Sequence, residues 1–358
     1  MNTRTNRLWP RRLPPGQAAM ASLACAGYAA AAAAADNQSA LAPAGIQAAR
    51  IAHLWNLTLW VCTVTFALVL LALIVALWRS TRNARGARDA RPLPATPSVQ
   101  DDSGPTRAVR IATIVSVLAL IGLVTVDIYT DRALSKLPVA DAVRIQVVGH
   151  QWWWEMRYQD DQGNTEFVTA NEMHVPVGRP VIIDLKSPDV IHTFWVPNLH
   201  GKKDMIPGRD ATLELRADQP GAYRGQCAEF CGSEHALMAF FLTADTPADY
   251  EAWRQRRRQP AAPVQDQALQ RGQRLFVEHA CASCHTVAGT QAAGTVGPDL
   301  THLADRPMLA AGTVANTRDQ LLKWISNPYA IKPGTAMPAT PLSRQDAESL
   351  VSYLESLR

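Results

Sequence analysis

The amino-acid sequence predicts a multidomain membrane protein: a hairpin of two transmembrane helices, then an all-β domain, then an all-α domain. Three observations support this prediction. Two long apolar runs lie within the first 130 residues, with an arginine-rich segment between them. Short β-type runs separated by glycine and proline follow over residues 131–250. Beyond residue 265, apolar residues recur at the three- and four-residue spacing of amphipathic helices.

Length, charge and cysteine content narrow the class of protein. The 358 residues suffice for two modest domains in addition to the membrane segments. A formal net charge of +4 over this length gives no support for a nucleic-acid-binding protein. Of the 6 cysteines, the last four form two close pairs, Cys227 with Cys231 and Cys281 with Cys284. Such pairs are disulfides, redox dithiols or cofactor ligands, and the neighbouring residues decide which.

The first 35 residues have the features of a secretory signal peptide. Four arginines precede an alanine-rich stretch over residues 18–35, which ends in three alanines before Asp36 and so offers a cleavage site. Lipidation at Cys25 is the alternative, because the three residues before it loosely resemble a lipidation motif. After cleavage, residues 36–52 would form an outer N-terminal segment.

The two apolar runs predict transmembrane helices. Residues 53–78 contain no charged side chain, and residues 111–130 contain only Asp127 near their end. At 1.5 Å per residue, the first run exceeds the roughly 30 Å hydrocarbon core of a bilayer. The loop at 79–110 contains 7 arginines against 3 acidic residues, so the positive-inside rule makes it cytoplasmic. Everything after residue 130 is then outside.

A cluster of soft ligands lies within the predicted β domain, residues 131–250. Cys227, Cys231, His235 and Met238 fall within twelve residues, and thiolate, imidazole and thioether together suit copper better than calcium or magnesium. A second thiolate allows two sulfurs to bridge two metal ions, and His192 can supply a second imidazole. A structural zinc site or a Cys227–Cys231 disulfide is the alternative reading.

The β region resembles cytochrome c oxidase subunit II. The resemblance runs through residues 149–154, 189–197, 203–209 and 227–238, and it implies a cupredoxin-like barrel outside a two-helix membrane anchor. It also implies a dinuclear copper centre whose ligands are the side chains of His192, Cys227, Cys231, His235 and Met238 and the carbonyl of Glu229. The Glu229 carboxylate would face a magnesium ion shared with the large oxidase subunit. Trp152 would be the exposed ring at which electrons enter.

A second outer domain follows a short connection. Residues 251–264 form the predicted linker between the domains. It begins within a short predicted helix, residues 249–258, and continues into a proline-containing stretch, residues 259–263. Residues 265–358 predict a helical domain. The segment Cys281-Ala-Ser-Cys284-His285 is the attachment sequence of a c-type haem, in which both thiols bond the haem and the histidine binds iron. In a reducing cytosol the two cysteines could instead be a redox pair, but the predicted export argues against that.

The second axial ligand of the haem iron should lie far downstream. Met337, in a Lys-Pro-Gly-Thr-Ala-Met-Pro segment, is the candidate, and Met308 is the competitor. A histidine–methionine pair raises the haem potential, which suits a carrier near the oxidising end of an electron-transport chain. Residues 297–300, 321–325 and 344–357 resemble class I cytochrome c, in which Pro298 would pack against the haem-binding histidine.

Together, the two resemblances imply the electron-entry subunit of a terminal cytochrome c oxidase in a bacterial inner membrane. Cytochrome c would be the donor, and the large subunit, accompanied by further oxidase subunits, would reduce oxygen and translocate protons. A copper-bearing subunit of a nitric oxide reductase and a periplasmic copper-binding assembly protein are the alternatives. The oxidase family often has a glutamate near the start of the second helix, but residues 106–113 contain no acid. A proton-uptake role for this chain is therefore left open.

Overall fold

The computed structural model describes residues 36–87, 103–134 and 139–358. The predicted signal peptide, including Cys25, lies outside the described residues, as do residues 88–102 of the predicted cytoplasmic loop. Within the described ranges the chain forms a helical hairpin, a domain of two β-sheets (residues 139–245, the β domain) and a mainly helical unit (residues 266–358, the helical domain). This order confirms the predicted fold class.

The hairpin consists of α1 (Ile46–Ala87) and α2 (Ser103–Leu134). Both are long and apolar enough to cross a membrane, over residues 46–82 and 106–134. They extend past the predicted 53–78 and 111–130 because the apolar pattern marks the bilayer thickness, whereas the helix continues into the polar flanks. The guanidinium of Arg50 donates a hydrogen bond to the carbonyl of Ala133, which ties the outer ends of the two helices together.

The first turn of α1 and the residues just before it are bound to the β domain. Gln47 is fully buried, and its side-chain amide donates to the carbonyl of Glu214 at 2.9 Å. The Ala44 amide donates to the carbonyl of Asn198 at 2.7 Å. Gly45 lies very close to the residues that follow Leu215. A Cβ on Gly45 would be 2.5 Å from the carbonyl oxygen of Arg216. The outer N-terminal segment is thus part of the β domain's packing.

Two five-stranded sheets form the β domain, in the orders β3-β2-β1-β5-β8 and β4-β10-β9-β6-β7. Pairs β1–β5 and β4–β10 are parallel, and the other pairs within these two sheets are antiparallel. The strands are β1 (Val143–His150), β2 (Trp153–Gln159), β3 (Thr165–Ala170), β4 (Glu172–Pro176), β5 (Val181–Lys186), β6 (His192–Trp195), β7 (Lys203–Met205), β8 (Ala211–Leu215), β9 (Gly221–Cys227) and β10 (Ala239–Asp245).

The core of the β domain lies between the sheets. Side chains alternate between buried and half-buried along β2, as the two-residue period of a strand requires. Trp154 is fully buried at the centre, with the Phe194 and Phe240 rings at centroid distances of 6.1 and 5.1 Å. Gly225 allows this packing, because a Cβ there would lie 2.2 Å from the Phe240 ring. The two packed sheets agree with the cupredoxin-like fold.

The helical domain follows a connection that is partly structured. Helix α3 (Pro247–Arg257) occupies the first half of the predicted linker, so only residues 258–266 connect it to the next helix. Arg254 and Arg258 both bind Glu166 of the β domain, at 2.8 and 2.6 Å. The domain itself contains α4 (Gln267–Glu278), α5 (Cys281–Cys284), the short pair β11 (Met308–Leu309) and β12 (Val314–Ala315), α6 (Arg318–Ser326) and α7 (Arg344–Glu355).

Candidate metal and haem sites

Two cysteines form the centre of the first site. Cys227 ends β9, and Cys231 lies in the loop that follows; we call residues 227–238 the cysteine loop. The two sulfur atoms are 3.7 Å apart, and both residues are free thiols that are almost fully buried. Because a disulfide requires about 2.05 Å between the sulfurs, the alternative of a Cys227–Cys231 disulfide does not apply to this structure.

The other predicted ligands surround these sulfurs. The His192 Nδ1 atom is 3.8 Å from the Cys227 sulfur, and the carbonyl oxygen of Glu229 is 3.2 Å from it. His235 Nδ1 and Met238 Sδ lie 3.7 and 3.8 Å from the Cys231 sulfur. The structure therefore brings all the predicted copper ligands together. The Glu229 side chain itself is exposed at the surface.

The electrostatics of the pair favour metal binding. Contact with the Cys231 thiol lowers the pKa of Cys227 to about 3, and the same contact raises the pKa of Cys231. One thiolate is therefore already present at neutral pH, and the second proton would be released when a cation binds. Soft sulfur and imidazole donors in a nearly dry site fit copper.

Asp189 positions one of the histidines. Its Oδ1 atom is 2.9 Å from His192 Nε2, and its Oδ2 atom accepts a hydrogen bond from the Gln151 amide at 2.8 Å. With Nε2 donating to this carboxylate, Nδ1 remains free to bind a metal. The hydrogen bonds from Val190, His192 and Gln151 lower the pKa of Asp189, although partial burial opposes this, so the carboxylate is ionised at neutral pH.

Replacement of Asp189 with asparagine should weaken copper retention about tenfold, the lower end of the range for partners that orient a ligand. The shape is kept, but the charge that holds the imidazole is lost. Competition with a copper chelator measures the effect. Asp210→Asn is the control, because that side chain is 85% exposed and forms a surface ion pair with Lys186. Equal copper retention in the two variants would contradict the orienting role.

The three consecutive tryptophans have different environments. Trp152 donates from Nε1 to the carbonyl of Cys231 at 2.9 Å, and Trp153 stacks on His150 at 4.5 Å. The Trp154 ring is in the core. Trp152 is half-buried, because one side lies on the cysteine loop and the other lines a cavity of the helical domain. Trp152 is thus less exposed than expected, and its role as the ring at which electrons enter stays a prediction.

That cavity contains the predicted haem-attachment residues. Cys281, Cys284 and His285 line it, and apolar side chains from α6 and α7 form much of the wall. His285 Nδ1 is 2.8 Å from the carbonyl of Pro298, which leaves Nε2 for iron. Burial lowers the pKa of His285, so its imidazole is neutral and able to act as a ligand. An apolar cavity with two free thiols and a neutral histidine fits a covalently attached haem.

Both candidate methionines reach the same cavity. Met337 and Met308 are half-buried in its wall. The geometry of the described residues does not separate them, so Met337 remains the prediction for the second axial position. Gly297 lies directly against the predicted ligand His285. A Cβ at position 297 would be 2.6 Å from the His285 ring.

Comparison with known proteins assigns both domains. Residues 163–244 match the family described as cytochrome C oxidase subunit II, periplasmic domain, and residues 269–358 match the family described as cytochrome c. The chain carries a subunit II periplasmic domain and a cytochrome c domain. These two domain types imply that it binds copper and haem.

Relatives that the chain matches over part of their own length agree with this assignment. Cytochrome c oxidase subunit 2 proteins of Alkalihalophilus pseudofirmus and Bacillus subtilis are 39% and 30% identical to the chain over 219 and 229 residues. Each alignment covers 61% of this chain, and 62% and 63% of the relatives' own lengths. The solved periplasmic domain of cytochrome oxidase subunit II from Bradyrhizobium japonicum is 29% identical, covers 35% of this chain and 96% of that one, and has a TM-score of 0.31.

Sequence reasoning missed the residues that join the subunit II domain to the cytochrome c domain. Lys332 donates hydrogen bonds to the carbonyls of Trp152 and Leu237, and Glu234 accepts one from the Gly334 amide. These partners are 95 to 180 residues apart, and no local pattern distinguishes Lys332 from a surface lysine. His174, which lies away from both sites, pairs with Asp245 and stacks on Trp253.

Proposed function

We propose that this chain is the electron-entry subunit of a terminal cytochrome c oxidase. It would pass electrons from cytochrome c through its own c-type haem and dinuclear copper centre to the large subunit. The observation that carries the proposal is the position of Trp152. Its indole donates to the cysteine loop, and the same residue lines the cavity of the haem-attachment cysteines. The two candidate redox sites thus share one side chain.

The donor set at the cysteine loop supports two metal ions. Six donor atoms converge there, whereas a structural zinc ion takes four. The two sulfurs occupy the middle of the set, with one histidine near each, which suits a pair of ions that share both thiolates. When bound, the copper pair and the haem supply one-electron redox chemistry. The donors are the side chains of His192, Cys227, Cys231, His235 and Met238 and the carbonyl of Glu229.

The protein's own contribution at the haem cavity is attachment and orientation. Cys281 and Cys284 would bond the haem covalently, and His285, held by the carbonyl of Pro298, would present Nε2 to the iron. Met337 would complete the axial pair. A histidine–methionine pair gives a high potential, as a carrier close to the oxidising end requires.

The outward face of the cysteine loop supports contact with further oxidase subunits. Phe230 is 74% exposed next to the exposed Glu229, although an aromatic side chain of this size is ordinarily covered. We infer that the large subunit covers this face in the membrane and that the Glu229 carboxylate binds magnesium there. Two candidate spans with an arginine-rich loop between them support a location of both outer domains on the periplasmic side of the inner membrane. Oxygen reduction and proton translocation would belong to the large subunit.

A metal and haem count on the purified complex tests the proposal. We expect two copper ions and one covalent haem for each copy of this chain, together with a near-infrared copper band. A single copper ion, or zinc, would refute the dinuclear assignment and favour the copper-binding assembly protein. Turnover of nitric oxide without turnover of oxygen would instead favour the nitric oxide reductase.

A further inference from the structure

Lys332 links the two candidate redox sites directly. Its side chain is only 3% exposed, although lysine is rarely buried without partners. The ammonium donates to the carbonyl of Trp152 at 2.8 Å and to the carbonyl of Leu237 at 2.9 Å. Lys332 belongs to the helical domain, whereas both acceptors belong to the β domain.

Both acceptors are themselves part of the copper site's surroundings. Trp152 binds the carbonyl of Cys231 through its indole, and Leu237 lies between the predicted ligands His235 and Met238. On the other side, Lys332 is five residues before Met337 in the segment that lines the haem cavity. A single ammonium group therefore holds the methionine segment against Trp152 and the cysteine loop.

A second contact fixes the same segment two residues further on. The Gly334 amide donates to the Glu234 carboxylate at 2.6 Å, and Glu234 is only 3% exposed. The approach is so close that a Cβ on Gly334 would lie 2.3 Å from Ser233 Oγ. The segment thus fits against the cysteine loop with no space for a larger residue.

Further contacts hold the domains together away from the cysteine loop. Glu172 of the β domain lies 3.5 Å from Arg257 and 3.8 Å from Arg306, and all three are buried. Arg257 also binds Asp305 of the helical domain at 2.8 Å. The two domains are thus in contact through buried charges in addition to the connecting chain.

We propose that Lys332 is a positioning residue for electron transfer. It keeps the haem cavity in contact with Trp152, so the two domains do not have to diffuse together before an electron passes to the copper site. This inference rests on the proposed function. It concerns the orientation of the two sites, because Lys332 does not itself carry an electron or bind a cofactor.

The test compares Lys332→Met with the wild-type chain in the purified oxidase complex. After rapid reduction of the haem, we expect transfer to the copper site to slow roughly tenfold in the variant, equivalent to about 1.4 kcal/mol in the docking equilibrium. The wild-type rate should be independent of solvent viscosity, whereas the variant's rate should fall as viscosity rises, because domain motion then limits it. Lys323→Met is the matched control, since Lys323 is exposed on α6 of the same domain.

A second readout does not depend on electron transfer. Hydrogen exchange of the amides in residues 332–338 should be faster in Lys332→Met and unchanged in Lys323→Met, because loss of docking exposes this segment. If Lys332→Met does not assemble, Gly334→Ala replaces it, since the added methyl group separates the same surfaces. The haem spectrum should be unaltered in the variant used, because neither substitution changes a predicted axial ligand.

Three results would overturn the inference. The first is an unchanged transfer rate, and the second is a slower rate without viscosity dependence. The third is a changed haem spectrum, which would indicate damage to the axial ligand instead. Failure of the proposed function would look different, because the wild-type complex would then lack the copper pair, the haem or any transfer between them.

Discussion

Replacement of Cys227 with serine is expected to abolish the copper centre, with loss of the near-infrared band. The rate of electron delivery should fall at least about 100-fold, because loss of a residue that only supports a ligand already costs about 10- to 100-fold. The Cys227 sulfur lies close to three other donor atoms of the site. It lies 3.7 Å from the Cys231 sulfur, 3.8 Å from His192 and 3.2 Å from the carbonyl of Glu229. A serine hydroxyl is a hard donor that stays protonated at neutral pH, so it cannot replace a bridging thiolate.

Cys62→Ser is the matched control for this variant. Cys62 is exposed on α1 within the first candidate membrane span, far from the cysteine loop in the chain, and we expect normal copper content. The covalent haem should be retained in both variants, because its attachment cysteines lie in the other domain. Full copper content in Cys227→Ser would show that the site does not need the second thiolate and would contradict the assignment.

Replacement of Gly272 with valine is expected to destabilise the helical domain by about 3 kcal/mol, the upper end of the usual cost of overpacking. Gly272 lies where α4 crosses α7. A Cβ at this position would be 2.2 Å from the carbonyl oxygen of Ser349 and 2.6 Å from Tyr353 Cβ, so the two helices would have to separate. Because both helices contribute to the wall of the haem cavity, we also expect a lower yield of attached haem.

Thermal unfolding monitored by the haem absorbance measures this effect. Arg274→Val on the same helix is the control, because it also introduces a β-branched residue but at an exposed position, where the cost is only that of helix propensity. Equal melting temperatures for the two variants would show that the helices can move apart freely, contrary to the close approach at Gly272.

Local spacing explains why the sequence predicted the centres of both sites. Cys227 and Cys231, and likewise Cys281, Cys284 and His285, are close in the chain, so the chemistry is visible in the sequence itself. His192 is different, because it joins the predicted copper ligands from a strand 35 residues away, and the sequence could offer it only as a candidate second imidazole. Its partner Asp189 was not predicted at all, since an orienting carboxylate has no spacing rule of its own.

The relation between the domains could not be predicted. A proline-containing connection suggested a free linker, but three of its neighbouring arginines bind acidic residues: Arg254 and Arg258 pair with Glu166, and Arg257 is buried beside Glu172. Burial of an arginine depends on tertiary partners that hydropathy does not report. The same limit applies to Trp152, whose solvent exposure depends on a domain more than a hundred residues away.

The bound N-terminal segment has a mechanical consequence. Ala44 is bonded to the turn after β6 and Gln47 to β8, and α1 begins at Ile46, so the first candidate membrane helix starts within the packing of the β domain. No pivot separates the anchor from the sheets on this side. The distance of the predicted copper ligands from the lipid surface is therefore fixed by helix geometry, and it should change by about 1.5 Å for every residue inserted or deleted in the first turns of α1.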